Sequence, residues 1–254
     1  MPLRVVISGA SSGLGLALAR HYLQQGAVIA VFARRAELLQ ALSNQFPHQV
    51  HCYPLDVRDA TAIQAAAHDF IARAGVPDIV IANAGVSRGT LTEYAEDILA
   101  FQQVMDINVL GMVKTFQPFV VPMRAAKKGT VVGISSVAGF RGLPGSEAYS
   151  ASKAAATSYL ESLRVELRST GIKVVTICPG YIKTPMTDVN SYAMPFIIEA
   201  DDAARRFARV IAQGRSFAVI PWQMGLVGRL LKSLPNWLYD WAFSKAPRKP
   251  RLPN

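Results

Sequence analysis

The sequence predicts an α/β fold: a doubly wound parallel sheet of Rossmann type, single-domain, with a helical C-terminal extension. Three observations predict it. Apolar runs of strand length alternate with segments of helical period. Most of those runs are continuously apolar and rich in Val and Ile, as strands covered on both faces must be. The connections are short, and strand–helix alternation with short connections builds a parallel sheet wrapped by helices.

In chain order, Leu3–Ser8 reads as a strand and Gly13–Gln25 as the helix after it. Ala27–Ala33 is followed by the helical pattern Ala36–Phe46, and Val50–Pro54 by Ala60–Arg73. Asp78–Ala82 precedes a long helical region, Glu93–Met123, in which Gln117-Pro118 and Val121-Pro122 mark an end or a kink, because proline lacks the N–H a helix needs. Thr130–Ser135 precedes Tyr149–Ser169, Lys173–Cys178 precedes Asp201–Gln213, and Phe217–Ile220 is the last strand. Glu199, Asp201 and Asp202 suit the entry of their helix, where the dipole favours acids.

A chain of 254 residues, 51% hydrophobic and 17% charged, can bury a large core and is not disordered. The main domain is assigned to 1–221 and an amphipathic basic extension to 222–254. Two cysteines, Cys52 and Cys178, exclude a disulfide framework or a cysteine-rich zinc module and suit a reducing compartment. His21, His48, His51 and His68 lack paired metal-ligand spacing, so no metal is expected. The chain has no visible targeting segment and no run of 18 apolar residues, and a cytoplasmic protein is the default expectation.

Chemistry enters at the first strand–helix junction. Ser8-Gly9-Ala10-Ser11-Ser12-Gly13-Leu14-Gly15 combines glycines, which let backbone approach phosphate, with a helix N-terminus that offers free N–H groups. The second strand ends Phe32-Ala33-Arg34-Arg35, without the acid that usually takes the ribose 2′-OH of NAD. Two arginines there favour NADP(H), with NAD(H) as the second option. Tyr149 and Lys153 fall at i and i+4 on one helix face, where an ammonium is expected to lower the phenol pKa for proton transfer. Ser136 stands at the carboxyl edge of the fifth strand, where such sheets bind ligands, Asn83-Ala84-Gly85 ends the fourth, Asn108 lies in the long helical region, and Pro179-Gly180-Tyr181-Ile182-Lys183-Thr184 follows the sixth strand.

In these motifs, their order and their spacing, Leu3 to Ile220 resembles the compact branch of the short-chain dehydrogenase/reductase family. The resemblance implies a catalytic tetrad of Asn108, Ser136, Tyr149 and Lys153. It implies cofactor contacts at Gly9, Ser11, Ser12, Gly13, Leu14 and Gly15, at Asp56 and Val57 beside the adenine, and at Asn83, Ala84 and Gly85. Pro179, Gly180, Ile182 and Thr184 would hold the nicotinamide carboxamide, and Arg34 would take the 2′-phosphate with Arg35 assisting. Tyr149 and Lys153 also contact the cofactor in such sites. Two positions depart from the pattern: Ser8 stands where Thr is usual, keeping the hydroxyl, and Ser12 stands where many NADP-dependent members carry Lys or Arg. The implied reaction is hydride transfer between NADP(H) and a carbonyl or secondary alcohol. Ser136 would bind the substrate oxygen, Tyr149 would move the proton, Lys153 would support Tyr149, and Asn108 would position water for a relay. The alternative in another class is a catalytically silent NADP(H)-binding regulator, against which the intact tetrad argues. A homodimer or homotetramer through Glu93–Met123 and Tyr149–Ser169 is also implied.

Substrate choice falls to the loops Val86–Thr90, Val137–Glu147 and Tyr181–Ile198. Their Phe140, Tyr181, Met186, Tyr192, Met194, Phe196 and Ile197 either line an apolar pocket, which predicts a hydrophobic substrate, or pack the loops against the body, with Arg88 and Arg141 as the main charges. The net charge of +10 sits mostly in the tail: from Ala203 onward there are 10 Lys or Arg against the single acid Asp240. Trp222–Ser233 and Pro235–Lys245 read as two short helices carrying one apolar stripe of Leu226, Val227, Leu230, Leu231, Leu234, Trp237, Leu238 and Trp241. The stripe packs on the body or another subunit, lies on an anionic membrane surface, or serves a nucleic acid. No recognition motif supports the last, so no nucleic-acid partner is expected.

Overall fold

A computed structural model describes residues 1–251; Leu252–Asn254, the end of the expected extension, lie outside the described residues. The chain runs β1 (Arg4–Ser8), α1 (Gly13–Gln24), β2 (Val28–Ala33), α2 (Ala36–Gln45), β3 (Val50–Pro54), α3 (Ala60–Ala74) and β4 (Ile79–Ala82). It continues with α4 (Asp97–Met105), α5 (Gly111–Ala125), β5 (Gly129–Ile134), α6 (Glu147–Glu166), β6 (Ile172–Pro179), β7 (Ile182–Lys183) and β8 (Ile198–Glu199). It ends with α7 (Ala200–Ala212), β9 (Phe217–Ile220), α8 (Trp222–Ser233) and α9 (Asn236–Phe243). Seven strands form one parallel sheet in the order β3-β2-β1-β4-β5-β6-β9. The order reverses between β1 and β4, and ligands of such sheets bind at the carboxyl ends beside that crevice.

The continuous apolar strands follow from two cores. Side chains alternate across a sheet, so Val5 and Ile7 enter one core while Val6 enters the other, and Ile29 and Val31 part from Ala30 and Phe32 in the same way. The first core takes Leu18, Leu39 and Phe207 from α1, α2 and α7. The second takes Phe70, Phe116, Phe119 and Leu160 from α3, α5 and α6.

The long helical region differs from its expected span. Residues 93–96 form turns, with Tyr94 N bonded to Leu91 O and Asp97 N to Tyr94 O, and helix begins at Asp97. Between α4 and α5 a π-turn, Asp106–Leu110, inserts extra backbone. Pro118 and Pro122 neither end α5 nor bound it; the helix passes both to Ala125. They stand four apart on one half-exposed side, so the carbonyls deprived of a donor, those of Lys114 and Pro118, lie together on that side of the helix. By length and a mean hydropathy of 1.2 the run Asp97–Ala125 could cross a membrane, yet Met112, Phe116, Phe119 and Met123 lie in the second core. The strand pair β7–β8, in the loop after β6, was not expected from the sequence.

Candidate active site

At the carboxyl ends of the strands a cleft of about 310 Å³ collects the residues singled out above. Its walls include Gly9, the run Ser11–Gly15, Arg34, Arg35, Asp56, Val57 and Asn83–Gly85. Ser136, Tyr149, Lys153, Pro179, Gly180, Ile182 and Thr184 complete it, with Pro185, Met186 and Thr187 beyond them. Asn108 does not line the cleft; it lies fully buried behind it.

The glycine turn is shaped by close approach. Gly9 has φ +71°, and a Cβ there would stand 2.7 Å from Ala84 Cα, so only glycine lets the turn sit against the end of β4. The Ser8 hydroxyl accepts from the N–H groups of Asn83 and Ala84, both at 3.2 Å. Asn83 Nδ2 donates back to Ser8 O at 3.1 Å. Ser12 is the N-cap residue of α1, but its side chain makes no cap bond. Instead Arg35 Nη2 donates to Ser11 Oγ at 2.9 Å and Ser12 Oγ at 2.8 Å. The first N–H groups of α1 are thereby left facing the cleft, with a guanidinium beside them. Asp56 is held by Arg58, whose Nη2 donates to its Oδ2 at 2.8 Å. That bond is the first cause of a lowered Asp56 pKa, with the Arg34 charge a lesser one. Arg58 was not anticipated, since nothing in its spacing marks it.

The tetrad candidates converge through α6. Lys153 Nζ donates to Ile134 O at 2.9 Å and stands 5.7 Å from the centre of the Tyr149 ring. Ser136 follows β5, its Oγ accepting from Ala138 N at 3.1 Å across a short 3₁₀ turn. Ser135 anchors the same corner, donating to Lys153 O at 2.9 Å. The π-turn aims Asn108 at the end of β4, where Oδ1 accepts from Val86 N at 2.8 Å and Nδ2 donates to Val86 O at 2.9 Å. Nδ2 also reaches Ser152 Oγ at 2.9 Å, a partner on α6 that the sequence reading missed. A Cβ on Gly85 would lie 3.3 Å from Asn108 Oδ1 and 3.6 Å from Lys153 Nζ, so glycine keeps the ground between the two open.

The electrostatics correct one expectation. The Tyr149 phenol pKa is raised, not lowered: burial dominates and the Ser136 hydroxyl only opposes it. Tyr149 is half-buried and lines the cleft, within surroundings dense enough for burial to dominate. Burial likewise lowers Lys153 to about 8, a value at which the ammonium is still the main form at neutral pH. Cys178, below Lys153, is pushed up to about 11 by burial and is an inert packed thiol.

Two of the side chains expected at the substrate turn elsewhere. Phe140 stacks on Phe217, centroids 6.3 Å apart, and fills the space over Gly228. Arg141 Nη1 donates to Leu231 O at 2.9 Å and Leu234 O at 2.7 Å, capping the end of α8. Tyr181 and Tyr192 do meet, edge to face at 6.4 Å, and the Tyr192 phenol pKa is raised, mainly by burial, with Tyr181 and Tyr149 as lesser causes. The tail stripe also divides. Val227, Leu231, Leu234 and Leu238 are half-buried toward the body, whereas Leu226, Leu230, Trp237 and Trp241 face outward.

The family model for short chain dehydrogenases matches residues 4–194, which takes in the glycine turn, Asn108, Ser136, Tyr149 and Lys153. The chain belongs to the short-chain dehydrogenase/reductase family. This dehydrogenase/reductase is 40% identical, over 93% of its own length and 94% of the relative's, to an uncharacterized oxidoreductase of Myxococcus xanthus. It is 33% identical to 2-dehydro-3-deoxy-L-rhamnonate dehydrogenase (NAD(+)) of a Sphingomonas strain, over 72% of this chain and 73% of that one. Among solved structures, a short-chain dehydrogenase from Streptomyces avermitilis superposes with a TM-score of 0.83 at 26% identity, covering 95% of this chain and 97% of the other. As a short-chain dehydrogenase/reductase the protein is an oxidoreductase whose fold binds a small-molecule substrate and a nucleotide cofactor.

Proposed function

We propose that the enzyme transfers hydride between NADP(H) and the carbonyl or carbinol carbon of a hydrophobic small molecule, with Tyr149 as general acid–base. The observation that carries this reading is that Ser136, Tyr149 and Lys153 share one cleft with the glycine turn. The residues present fit a dinucleotide: the Gly9 turn that a Cβ would close, the uncapped start of α1, and the arginines at the end of β2. Ser11–Gly15 would hold the pyrophosphate, Arg34 and Arg35 a 2′-phosphate, and Asp56 and Val57 the adenine. Asn83–Gly85 would border the cofactor, and Pro179, Gly180, Ile182 and Thr184 would hold the carboxamide. When bound, the nicotinamide supplies or accepts the hydride.

The nucleotide choice rests on Ala33, Arg34 and Arg35, because one relative carries NAD(+) in its name and membership alone leaves the choice open. An acid at Ala33 would repel a 2′-phosphate, whereas two guanidiniums attract it. Ser136 would hydrogen-bond the substrate oxygen and stabilise charge gathering there. A raised pKa keeps Tyr149 protonated at neutral pH, which suits a proton donor to that oxygen in the reductive direction. Lys153 would hold the nicotinamide ribose and support the phenolate once it forms. Asn108 would act behind Lys153, in the ground that Gly85 leaves open, as the start of a proton relay. Assembly as a dimer or tetramer through α4–α5 and α6 is supported by the exposed Ile98, Leu99, Leu110, Val121 and Val165 on those helices.

The test is NADPH and NADH oxidation against a panel of hydrophobic ketones and aldehydes, with Tyr149→Phe beside the native enzyme. The variant is expected to lose turnover by about a thousandfold while binding NADPH normally. Undiminished turnover in Tyr149→Phe, or a preference for NADH, would remove the corresponding part of the assignment.

A further inference from the structure

The helices α8 and α9 have two unlike faces. Inward, Met224 packs at Gly180, Gly228 lies on Phe140, and the Tyr239 hydroxyl donates to Gly142 O, so the inner face is already occupied. Outward stand Trp222, Leu226 and Leu230 at steps of four, then Trp237 and Trp241, again four apart. Trp237 is 71% and Trp241 76% exposed. Five large apolar side chains that stay exposed on these two helices are not core, and single scattered apolar residues would not keep this spacing.

The charge around this surface selects its partner. Arg229, Lys232 and Lys245 are all exposed on the same two helices and their end, against Asp240 alone. A second copy docked face to face would set these cations against their own equivalents. A negatively charged surface would neutralise them, and tryptophan, apolar in body with an N–H at its edge, suits the boundary between headgroups and acyl chains. We propose that the outer face of α8–α9 is a docking surface for an anionic lipid bilayer, entered by Trp237, Trp241, Leu226 and Leu230 and flanked by Arg229 and Lys232. The opposite, inner face of the same helices packs on Phe140, Gly142 and Gly180 in the segments that follow β5 and β6, and of these Gly180 borders the cleft. Docking would therefore bring that border to the membrane, and a substrate drawn from the bilayer would follow; this last consequence rests on the oxidoreductase reading, the docking does not.

The experiment is co-sedimentation of the full chain with vesicles of phosphatidylcholine plus phosphatidylglycerol, and with phosphatidylcholine alone. It compares the native protein, Trp237→Ser/Trp241→Ser and Arg229→Gln/Lys232→Gln, with NADPH binding as the check on folding and sedimentation velocity without lipid as the check on self-association. The native chain should pellet with the anionic vesicles, the tryptophan pair should weaken partitioning about tenfold, and the cation pair should bring it toward the level on neutral vesicles. If the tryptophan variant loses NADPH binding through misfolding, Leu226→Ser/Leu230→Ser carries the same expectation. No binding of the native chain to anionic vesicles overturns the proposal. So does unchanged binding in a folded face variant, or a face variant that alters only the oligomer mass. Vesicle binding by a native chain that fails to bind NADPH would sustain the docking surface and count against the oxidoreductase reading.

Discussion

Lys153 is a cation that the fold holds against its own stability. It is 4% exposed, its ammonium donates to a neutral carbonyl, and its pKa falls from 10.5 to about 8. The folded state thus binds fewer protons than the unfolded chain between those two values. Stability from this group rises as pH climbs through that window, and below pH 8 the full penalty applies. Lys153→Met should stabilise the protein at neutral pH by up to about 3 kcal/mol while removing turnover. Thermal melts at neutral pH and near pH 10 check it: the variant's advantage should shrink at the higher pH. The spacing of Tyr149 and Lys153 is plain in the sequence, and so is their pairing on one helix. The direction of the Tyr149 shift is not, because burial of both groups arises from β5, β6 and α6 packing together and has no local signature. Asp56 was found but Arg58, which grips it from two residues away, was not, because an exposed arginine two places on is common and marks no site by its spacing.

At the scale of elements, the π-turn Asp106–Leu110 lets one side chain join three parts of the molecule. Asn108 satisfies both polar groups of the Val86 backbone and bonds Ser152 on α6. A regular helix through this region would place its residues on a different rotation, and periodicity alone shows no break there. Asn108→Ala would leave the Val86 N–H and C=O without their partner in a half-buried position and Ser152 Oγ without its donor, so a loss of about 1 kcal/mol is expected, read as a lower midpoint in urea. NADPH affinity should change less than turnover, since Asn108 stands behind the cleft. The strands were the most legible elements, because two-sided burial writes itself as unbroken apolar runs. The prolines of α5 do not end it for a physical reason: each removes one donor, and with both on the same half-exposed side the helix survives. Phe140 and Arg141 follow the packing alternative, since a loop in the place where substrates bind can still point its side chains at the tail.

On the scale of the whole molecule, the tail is clasped. Arg141 caps α8, bonds Asn236 Oδ1 at 2.9 Å and lies 4.1 Å over the Tyr239 ring. Arg141→Ala should release that end: faster amide hydrogen exchange in α8 and α9 with α1 unchanged, a local loss of about 2 kcal/mol. Beyond α9 the chain returns across the β4 loop. Arg251 pairs with Asp97 at 2.8 Å and Glu96 at 2.9 Å, its guanidinium 3.5 Å above the Tyr94 ring. Backbone carbonyls of Lys249 and Pro250 press where a Gly89 side chain would be, and Arg248 does so at Gly145. The loops after β4 and β5 and the chain's final stretch are therefore one mechanical part. A loop around Gly89 grafted from a relative would meet the wrong counterpart unless residues 248–251 came with it. Homologues should accordingly exchange these positions together, as a matched cassette, when they diverge in the molecules they accept.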